Sequence, residues 1–154
     1  ASLKKKKFSK YDFSRIHPSG NLGYQLKTVE DLMITGKKIP FINENQKMEN
    51  ALKIITNKKL GVLIVKNRKG KVIGIITDGQ IRRSNQKNKE IQNLRVKEVM
   101  TKNPISVDKD ILAAKALSIM NTKKITSLCV YNKKNKSKTI GILHIHNVLE
   151  NNVR

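Results

Sequence analysis

The segment Thr77-Asp78-Gly79-Gln80 carries the residue types of an anion-binding turn. It follows the apolar run of residues 72–76 and precedes a polar stretch with Arg82 and Arg83, so a strand is predicted to end and a helix to begin there. A helix N-terminus offers free backbone N–H groups and the positive end of the helix dipole. The Thr77 hydroxyl adds a donor, and the two guanidinium groups could bind phosphate or carboxylate. The alternative is structural: Thr77 or Asp78 caps the helix while the arginines face solvent.

Two histidines, His144 and His146, form the second group that could do chemistry. At i and i+2 they share one face if a strand continues through them. Two imidazoles could ligate a metal, but no carboxylate or third histidine accompanies them, so we favour neutral rings that line a second cleft and hydrogen-bond a ligand. Cys129, the one cysteine, lies in an apolar run and is predicted to be a buried core residue. We predict no metal site and no resident cofactor.

These residues belong to a duplicated unit. Residues 29–33 correspond to residues 96–100, and residues 73–76 to residues 140–143, both 67 positions apart. Between them, residues 51–52 correspond to residues 116–117, 65 positions apart. Length changes that fall in loops while periodic segments stay in register are typical of a duplicated supersecondary unit. Two such units related by a pseudo-twofold axis leave a cleft between them, and clefts bind ligands.

Each unit is predicted to fold as β-α-β-β-α. Apolar residues with helical spacing predict a helix over residues 47–57, and the second copy repeats the stripe from Ala113 to Met120. Strands are predicted over residues 61–65 and 72–77, joined by a hairpin containing Gly70, and over 127–131 and 139–144, joined by a longer Lys- and Asn-rich loop. Short helices should span residues 79–84 and 147–151, and Pro40 and Pro104 should open short extended segments. The fold class is therefore α/β (α+β), with two tandem units packed about a pseudo-twofold axis.

Length and charge bound the possible functions. The 154 residues suit one compact domain, divided as an appendage (1–26), a first unit (27–89) and a second unit (90–154). The net charge of +22 comes mostly from lysines spread over the loops, without interleaved aromatic residues, so small anions are favoured over nucleic acid. The apolar runs are too short for a membrane span. Without a signal-peptide pattern, a cytoplasmic location is expected, and because the chain does not begin with Met we expect it to be part of a longer protein.

The repeat carries motifs that resemble those of cystathionine-β-synthase (CBS) domains. They are Asp31-Leu32-Met33, Ile39-Pro40, Thr77-Asp78-Gly79, Ile81-Arg82-Arg83, Val99-Met100-Thr101 and His144-Ile145-His146. Upstream, Asp12-Phe13 and residues 17–23 (HPSGNLG) resemble the end of the sugar-isomerase (SIS) domain in bacterial D-arabinose-5-phosphate isomerases, which leads into a CBS pair. The combination identifies the chain as the CBS half of such an isomerase.

The resemblance implies a regulatory, ligand-sensing role. The parent enzyme would interconvert D-ribulose 5-phosphate and D-arabinose 5-phosphate for synthesis of the sugar acid Kdo and of lipopolysaccharide. His17 would be catalytic only beside the SIS domain, and the chain alone should be inactive. CMP-Kdo or CMP is the implied ligand. The alternative is an independent CBS module that binds adenine nucleotides or only mediates oligomerisation.

The predicted ligand-binding residues lie at equivalent points of the two units: Ile39, Pro40, Gly61, Val62, Thr77, Asp78, Gly79, Gln80, Arg82, Arg83, Thr101, Pro104, Thr126, Ser127, His144, His146 and Asn147. Gln80 and Asn147 stand where CBS modules that bind adenosine usually carry an aspartate for the two ribose hydroxyls. An amide lacks that bidentate acceptor, so weaker adenosine binding is expected.

A second copy of the chain is the other predicted partner. A homodimer is expected through exposed helix stripes that include Ala51, Leu52, Ala116 and Leu117. The resemblance implies a tetrameric parent enzyme.

Overall fold

The repeat folds as two similar layers of helix and sheet. The computed structural model describes residues 26–58, 60–87 and 90–151, and elements are numbered within that part of the chain. They are α1 (Val29–Leu32), β1 (Ile34–Thr35), β2 (Phe41–Asn43), α2 (Met48–Lys58), β3 (Val62–Lys66), β4 (Val72–Thr77), α3 (Asp78–Lys87), α4 (Val96–Val99), β5 (Thr101–Lys102), β6 (Ser106–Asp108), α5 (Ala113–Lys123), β7 (Ser127–Asn132), β8 (Asn135–His144) and α6 (Ile145–Leu149), with 3-10 helices at Gly36–Lys38 and Ile91–Asn93. The β-α-β-β-α order, predicted for each unit, is confirmed in β2-α2-β3-β4-α3 and in β6-α5-β7-β8-α6.

Two four-stranded sheets exchange their edge strands. Their orders are β2-β3-β4-β5 and β1-β8-β7-β6. Strand β1, from the start of the first unit, pairs antiparallel with β8 of the second unit, and β5 pairs antiparallel with β4 of the first. The preceding helices follow the same exchange, because Val29 of α1 lies in the core beneath α5, whereas Val96 of α4 lies in the core beneath α2. Each unit is therefore completed by the first elements of the other.

The alternation of side chains along the central strands builds three layers of core. In β3, Leu63 and Val65 face the helices, whereas Val62 and Ile64 face the opposite sheet. In β7, Cys129 takes the same inward position, so it is the buried core residue expected. Burial raises the pKa of its thiol to about 12, which leaves no thiolate for nucleophilic chemistry. Each fully buried apolar side chain contributes about 1.5–3 kcal/mol to folding.

The main helices bury the stripes that the apolar spacing predicts. Met48, Ala51 and Ile55 of α2 pack on one sheet, and Ala113, Ala116, Leu117 and Met120 of α5 pack on the other. The predicted dimer surface was therefore wrong in its residues, since Ala51 and Ala116 are fully buried within the chain and Leu117 is 6% exposed. Only Leu52 of that set is partly exposed. No helix in the described ranges is long and apolar enough to cross a membrane.

The two hairpins differ in length. In the first, the Asn67 side-chain oxygen accepts hydrogen bonds from the N–H groups of Lys69 and Lys71, and Gly70 has φ +82°. In the second, Asn135 pairs with Asn132, so a two-residue turn replaces the long loop that was predicted. The cause is that residues 135–138 are exposed, and a strand that is polar on both faces leaves no alternating apolar signal.

The helices that follow the hairpins begin earlier than predicted. Helix α3 begins at Asp78 and extends to Lys87, and α6 begins at Ile145 rather than Asn147. Strand β8 consequently ends at His144, and His146 belongs to a helix.

A candidate ligand-binding cleft

A cleft of about 550 Å³ opens between the two units, where β4 and β8 end and their helices begin. It includes residues from both units and thus depends on their mutual packing. Its lining residues are Leu60, Gly61, Ile75, Thr77, Asp78, Gly79, Gln80, Arg82, Arg83, Thr101, Asn103, Pro104, Ile105, Lys124, Ile125, Thr126, Ser127, His144 and His146.

Equivalent backbone hydrogen bonds shape the two sides of the cleft. The Asp78 N–H donates to the Gly61 carbonyl at 3.1 Å, and the Ile145 N–H donates to the Thr126 carbonyl at 2.8 Å. Gly61 has φ +69°, and a β-carbon there would lie 2.7 Å from Oδ2 of Asp78. Glycine is therefore required both by the backbone conformation and by the close approach of the carboxylate.

The turn that opens α3 is tied together by its own side chains. The Gln80 side-chain oxygen accepts from the Thr77 N–H at 3.0 Å, and the Gln80 N–H donates to the Thr77 hydroxyl oxygen at 3.3 Å. The Gln80 side-chain nitrogen donates to the hydroxyl oxygen of Thr101 and, at 3.4 Å, to the carbonyl of Val99. Gln80 thus caps a helix and links the two units, while the Thr77 hydroxyl keeps its hydrogen for a further acceptor.

His144 holds the equivalent position at the start of α6. Its Nδ1 accepts from the His146 N–H at 3.1 Å, and its own N–H donates to the Asn147 side-chain oxygen at 3.1 Å. Because Nδ1 is an acceptor, the neutral ring carries its proton on Nε2. Burial, and then the neighbouring His146, lower the pKa of His144, while the Asp78 carboxylate acts in the opposite direction.

The histidine rings lie together for a reason other than the one predicted. The strand does not continue through both residues, yet the turn into the helix brings the ring centroids to 4.8 Å, with 25° between the planes. Both rings also lie in the same cleft as Thr77, where two separate clefts were predicted. Because the edge strands are exchanged between the units, the end of β4 and the end of β8 open into one cleft.

Positive charge predominates in the cleft. Arg82, Arg83 and Lys124 line it, and among the described lining residues Asp78 alone is acidic. Both arginines are largely exposed and lie at the opening of the cleft. They therefore face solvent, as one alternative predicted, and also line the candidate site, as the other predicted. A negatively charged ligand would be favoured electrostatically there.

Ser127 supplies an unusual polar group in the cleft wall. The residue is 6% exposed, and its hydroxyl oxygen is buried without a hydrogen-bond partner in the described part of the chain. Leaving a buried polar group unpaired costs about 1–3 kcal/mol. A polar ligand atom at this wall would recover that cost.

Four predicted site residues lie outside the cleft lining, and a fifth lies outside the described residues. Ile39 lines another cleft, Pro40 and Val62 are buried, and Asn147 caps α6. His17, the predicted catalytic residue, falls in the part of the chain that is not described. Across the described ranges, no group of three or more His, Cys, Asp or Glu side chains could hold a metal ion.

Sequence reasoning missed several residues that line the cleft: Leu60, Ile75, Asn103, Ile105, Lys124 and Ile125. Two of them had an accessible signal, since Leu60 and Ile125 are equivalent in the repeat and each precedes a residue that was predicted. Asn103 and Ile105 flank the predicted Pro104, and they reach the cleft because the preceding strand β5 is exchanged between the sheets.

Comparisons with known proteins agree with this architecture. The family model of the CBS domain matches residues 29–86 and 96–153. Arabinose 5-phosphate isomerase KdsD of Salmonella typhi is 38% identical over 150 residues, which cover 97% of this chain and 45% of that protein. The same enzyme of Yersinia pestis is 35% identical with the same coverage. The chain spans less than half the length of these curated relatives.

Solved structures share the fold at low sequence identity. The CBS-domain protein ATU1752 from Agrobacterium tumefaciens has a TM-score of 0.75 and 18% identity, covering 84% of this chain and 96% of that one. CBSX2 in complex with AMP has a TM-score of 0.68 and 24% identity, covering 80% and 94%. The CBS pair of MJ0100, in complex with 5′-methylthioadenosine and S-adenosyl-L-methionine, has a TM-score of 0.71 and 21% identity, covering 81% and 94%.

Proposed function

This chain belongs to the CBS domain family as a tandem pair, and from that premise we propose that it is the ligand-sensing regulatory half of an arabinose 5-phosphate isomerase. Its cleft would bind a small nucleotide or nucleotide-sugar. The observation that carries the proposal is the cleft itself, where the N-terminus of the ten-residue helix α3, a positively charged opening and the unpartnered Ser127 hydroxyl converge.

The parts of the cleft correspond to the parts of such a ligand. Arg82 and Arg83 suit a phosphate, and the positive end of the α3 helix dipole favours it as well. Ile75 and Ile105, one from each unit, offer apolar contact for a ring, and the exposed Ile105 would be covered by it. The Ser127 hydroxyl and the Nε2–H of His144 would hydrogen-bond polar atoms of a base or sugar acid.

The relatives support a proposal for the activity of the parent protein. The KdsD enzymes are matched along 97% of this chain, which supports a place in the same kind of isomerase and hence in Kdo and lipopolysaccharide synthesis in the cytoplasm. The catalytic SIS domain would then lie upstream, with His17 reaching its active site. This chain incubated with D-ribulose 5-phosphate should give no aldose above the no-protein control, and turnover would refute that assignment.

The ligand is tested by thermal shift with CMP-Kdo, CMP, AMP and ATP at matched ionic strength. We expect the cytidine compounds to stabilise the chain more, because the relatives that it matches are arabinose 5-phosphate isomerases, whose product leads to Kdo. The Gln80 and Asn147 side-chain oxygens already accept backbone N–H groups, so the ribose that all four ligands share would have to be bound by other groups. A ligand at 100 times its dissociation constant adds about 2.7 kcal/mol to the free energy of unfolding. A larger shift with ATP, unaffected by Gln80→Asp, would favour the adenine nucleotide alternative.

Two substitutions separate binding from folding. Ser127→Ala removes a hydroxyl without a described partner, so it should leave the unliganded melting temperature unchanged or raise it while reducing the ligand-induced shift. Ser118→Ala, on the exposed face of α5, is the matched control and should change neither. Thr77→Val should also reduce the shift by removing a hydroxyl donor, but it removes the acceptor of the Gln80 N–H as well and should therefore lower the melting temperature of the unliganded chain. An unchanged shift in Ser127→Ala would exclude this wall from the site.

Adenine nucleotides remain the second candidate for a specific reason. Two of the solved structures named above share the fold and hold adenine compounds: CBSX2 holds AMP, and the CBS pair of MJ0100 holds 5′-methylthioadenosine and S-adenosyl-L-methionine. The chain would then act as an adenine sensor, or as a module that mediates oligomerisation alone. The four-ligand comparison distinguishes these outcomes, because a purely oligomeric module would respond to none of them.

A homodimer completes the proposal, together with a tetrameric parent enzyme. Its surface would use apolar side chains that the monomer leaves exposed, such as Leu112 and Leu149, instead of the buried stripes. The net charge of +22 opposes association at low salt, so association should strengthen as salt screens the repulsion. A monomeric sedimentation profile at high salt and high protein concentration would refute the dimer.

A further inference from the structure

A second cleft lies at the other end of the strands. It has a volume of about 800 Å³ and includes Val72 at the start of β4 and residues 137–140 of β8, whereas the first cleft includes the ends of the same strands. Along β4, at about 3.3 Å per residue, Val72 of the second cleft lies roughly 10 Å from Ile75 and roughly 16 Å from Thr77 of the first. A ligand in one cleft therefore does not occupy the other.

Four lysine residues line the second cleft. They are Lys66, Lys69, Lys71 and Lys138, and no aspartate or glutamate is among the described lining residues. None of the four forms an ion pair with another residue in the described ranges. Four like charges around one opening repel one another, and an anion placed among them removes that repulsion.

The lysines are held by ordered elements. Asn67 fixes the tip of the first hairpin by accepting the N–H groups of Lys69 and Lys71, and the Lys66 ammonium lies 3.5 Å from the centre of the Phe41 ring. Lys138 approaches from β8, on the other unit. The arrangement thus converges from two units and is not a run of neighbouring residues.

We infer that this second cleft binds a small anion that carries several phosphate groups. An ammonium group is a compact charge with three donors, suited to phosphate oxygens, and four of them exceed what a single carboxylate can neutralise. The Thr139 hydroxyl can add a donor at the same wall, whereas the Ser137 hydroxyl already donates to the Asn135 side-chain oxygen. The volume falls within the range of small-molecule sites, about 300–1,000 Å³.

The test uses the whole chain and inorganic tripolyphosphate, followed by amide NMR at about 0.15 M salt, where diffuse attraction is screened. The amides of Gly70, Lys138 and Thr139 should shift and saturate with one dissociation constant. The turn around Thr77 reports separately on the first cleft, so failure of the proposed function would be seen independently. Shifts confined to that turn would overturn the inference.

Matched variants separate a site from net charge. Lys69→Gln, Lys71→Gln and Lys138→Gln together should weaken binding about tenfold or more, equivalent to about 1.4 kcal/mol. The control, Lys97→Gln, Lys115→Gln and Lys123→Gln, removes the same charge from exposed positions on α4 and α5 and should change affinity less than about twofold. Equal losses would mean diffuse attraction and would overturn the inference.

Two further controls address misfolding of the triple variant and binding of nucleic acid. If the triple variant melts early, the single exposed substitution Lys138→Glu carries the same expectation. A single-stranded oligonucleotide added as competitor should not bind more tightly than tripolyphosphate at the Gly70 amide. If it does, and the lysine variant abolishes that binding, the surface is a nucleic-acid interface and the small-anion assignment is wrong.

Discussion

Gly61 shows how a single residue connects the backbone to the chemistry of the cleft. Its φ of +69° favours glycine, and a β-carbon at this position would lie 2.7 Å from the Asp78 carboxylate oxygen, so that side chain would have to shift. Gly70 also has a positive φ, of +82°, but a β-carbon at that position would have nothing within 4 Å. Comparing substitutions at Gly61 and Gly70 therefore separates the cost of the backbone conformation from the cost of steric contact.

Gly61→Ala should destabilise the chain more than Gly70→Ala. Each substitution costs about 1–2 kcal/mol for a left-handed backbone conformation, and Gly61→Ala must also displace Asp78. Urea unfolding of the two variants measures the difference. Equal losses would mean that the Asp78 side chain moves aside freely, and its role in shaping the cleft would then be refuted.

His144 should make stability depend on pH. Its pKa in the folded chain is below the ordinary value of about 6.5, chiefly through burial, so the unfolded chain binds the proton more readily. The stabilisation is complete above the ordinary pKa and is lost as pH falls towards the lowered one. His146 adds to the lowering and Asp78 opposes it.

The measurement is the free energy of unfolding of the native chain and of His144→Asn over that pH range. The asparagine oxygen can still accept the His146 N–H but does not titrate. We expect a weaker pH dependence in the variant. Parallel curves for both proteins would show that His144 does not contribute.

At the scale of elements, Gln80 and Asn147 separate helix capping from contact between the units. Both side-chain oxygens cap the N–H group three residues earlier, but only Gln80 also donates to Val99 and Thr101. The same position in the two repeats therefore carries two different structural roles.

Gln80→Ala should cost about 1–3 kcal/mol of stability, and Asn147→Ala closer to 1. The difference arises because the first substitution also leaves the Val99 and Thr101 oxygens without this donor. Chemical unfolding of both variants is the measurement. A larger loss in Asn147→Ala would contradict the link between the units.

At the scale of the whole molecule, the exchange of edge elements makes the two units interdependent. Gly141 of the second unit packs against the sulfur of Met33, which follows α1 of the first unit. Gly74 of the first unit packs in the same way against the sulfur of Met100, which follows α4 of the second. Val29 and Val96 are fully buried in the partner unit's core. Separating the units would expose both cores.

Fragments 27–89 and 90–154 should therefore be poorly folded when separate and should regain structure when mixed. Amide NMR spectra would show collapsed dispersion for each fragment and recovery in an equimolar mixture, with the uncut chain as reference. Two well-dispersed spectra from separate fragments would show that each unit completes itself.

The sequence by itself determined the repeat, the element types and the sites at the strand ends. The helical stripe of α2 and the β-branched runs of β3 and β4 are local patterns, and local periodicity sets which face is buried. The Thr77 turn was predictable for the same reason, since its chemistry follows from neighbours in the chain. The motifs of the repeat also sufficed to indicate the family.

Tertiary structure decided what the repeat could not encode locally. The exchange of β1 and β5 brings the unpredicted Asn103 and Ile105 to the cleft beside the predicted Thr101, and it merges the Thr77 and His144 ends into one opening. The convergence of lysines from two units on the second cleft likewise depends on long-range packing. Such contacts join residues far apart in sequence, where no spacing or periodicity records them.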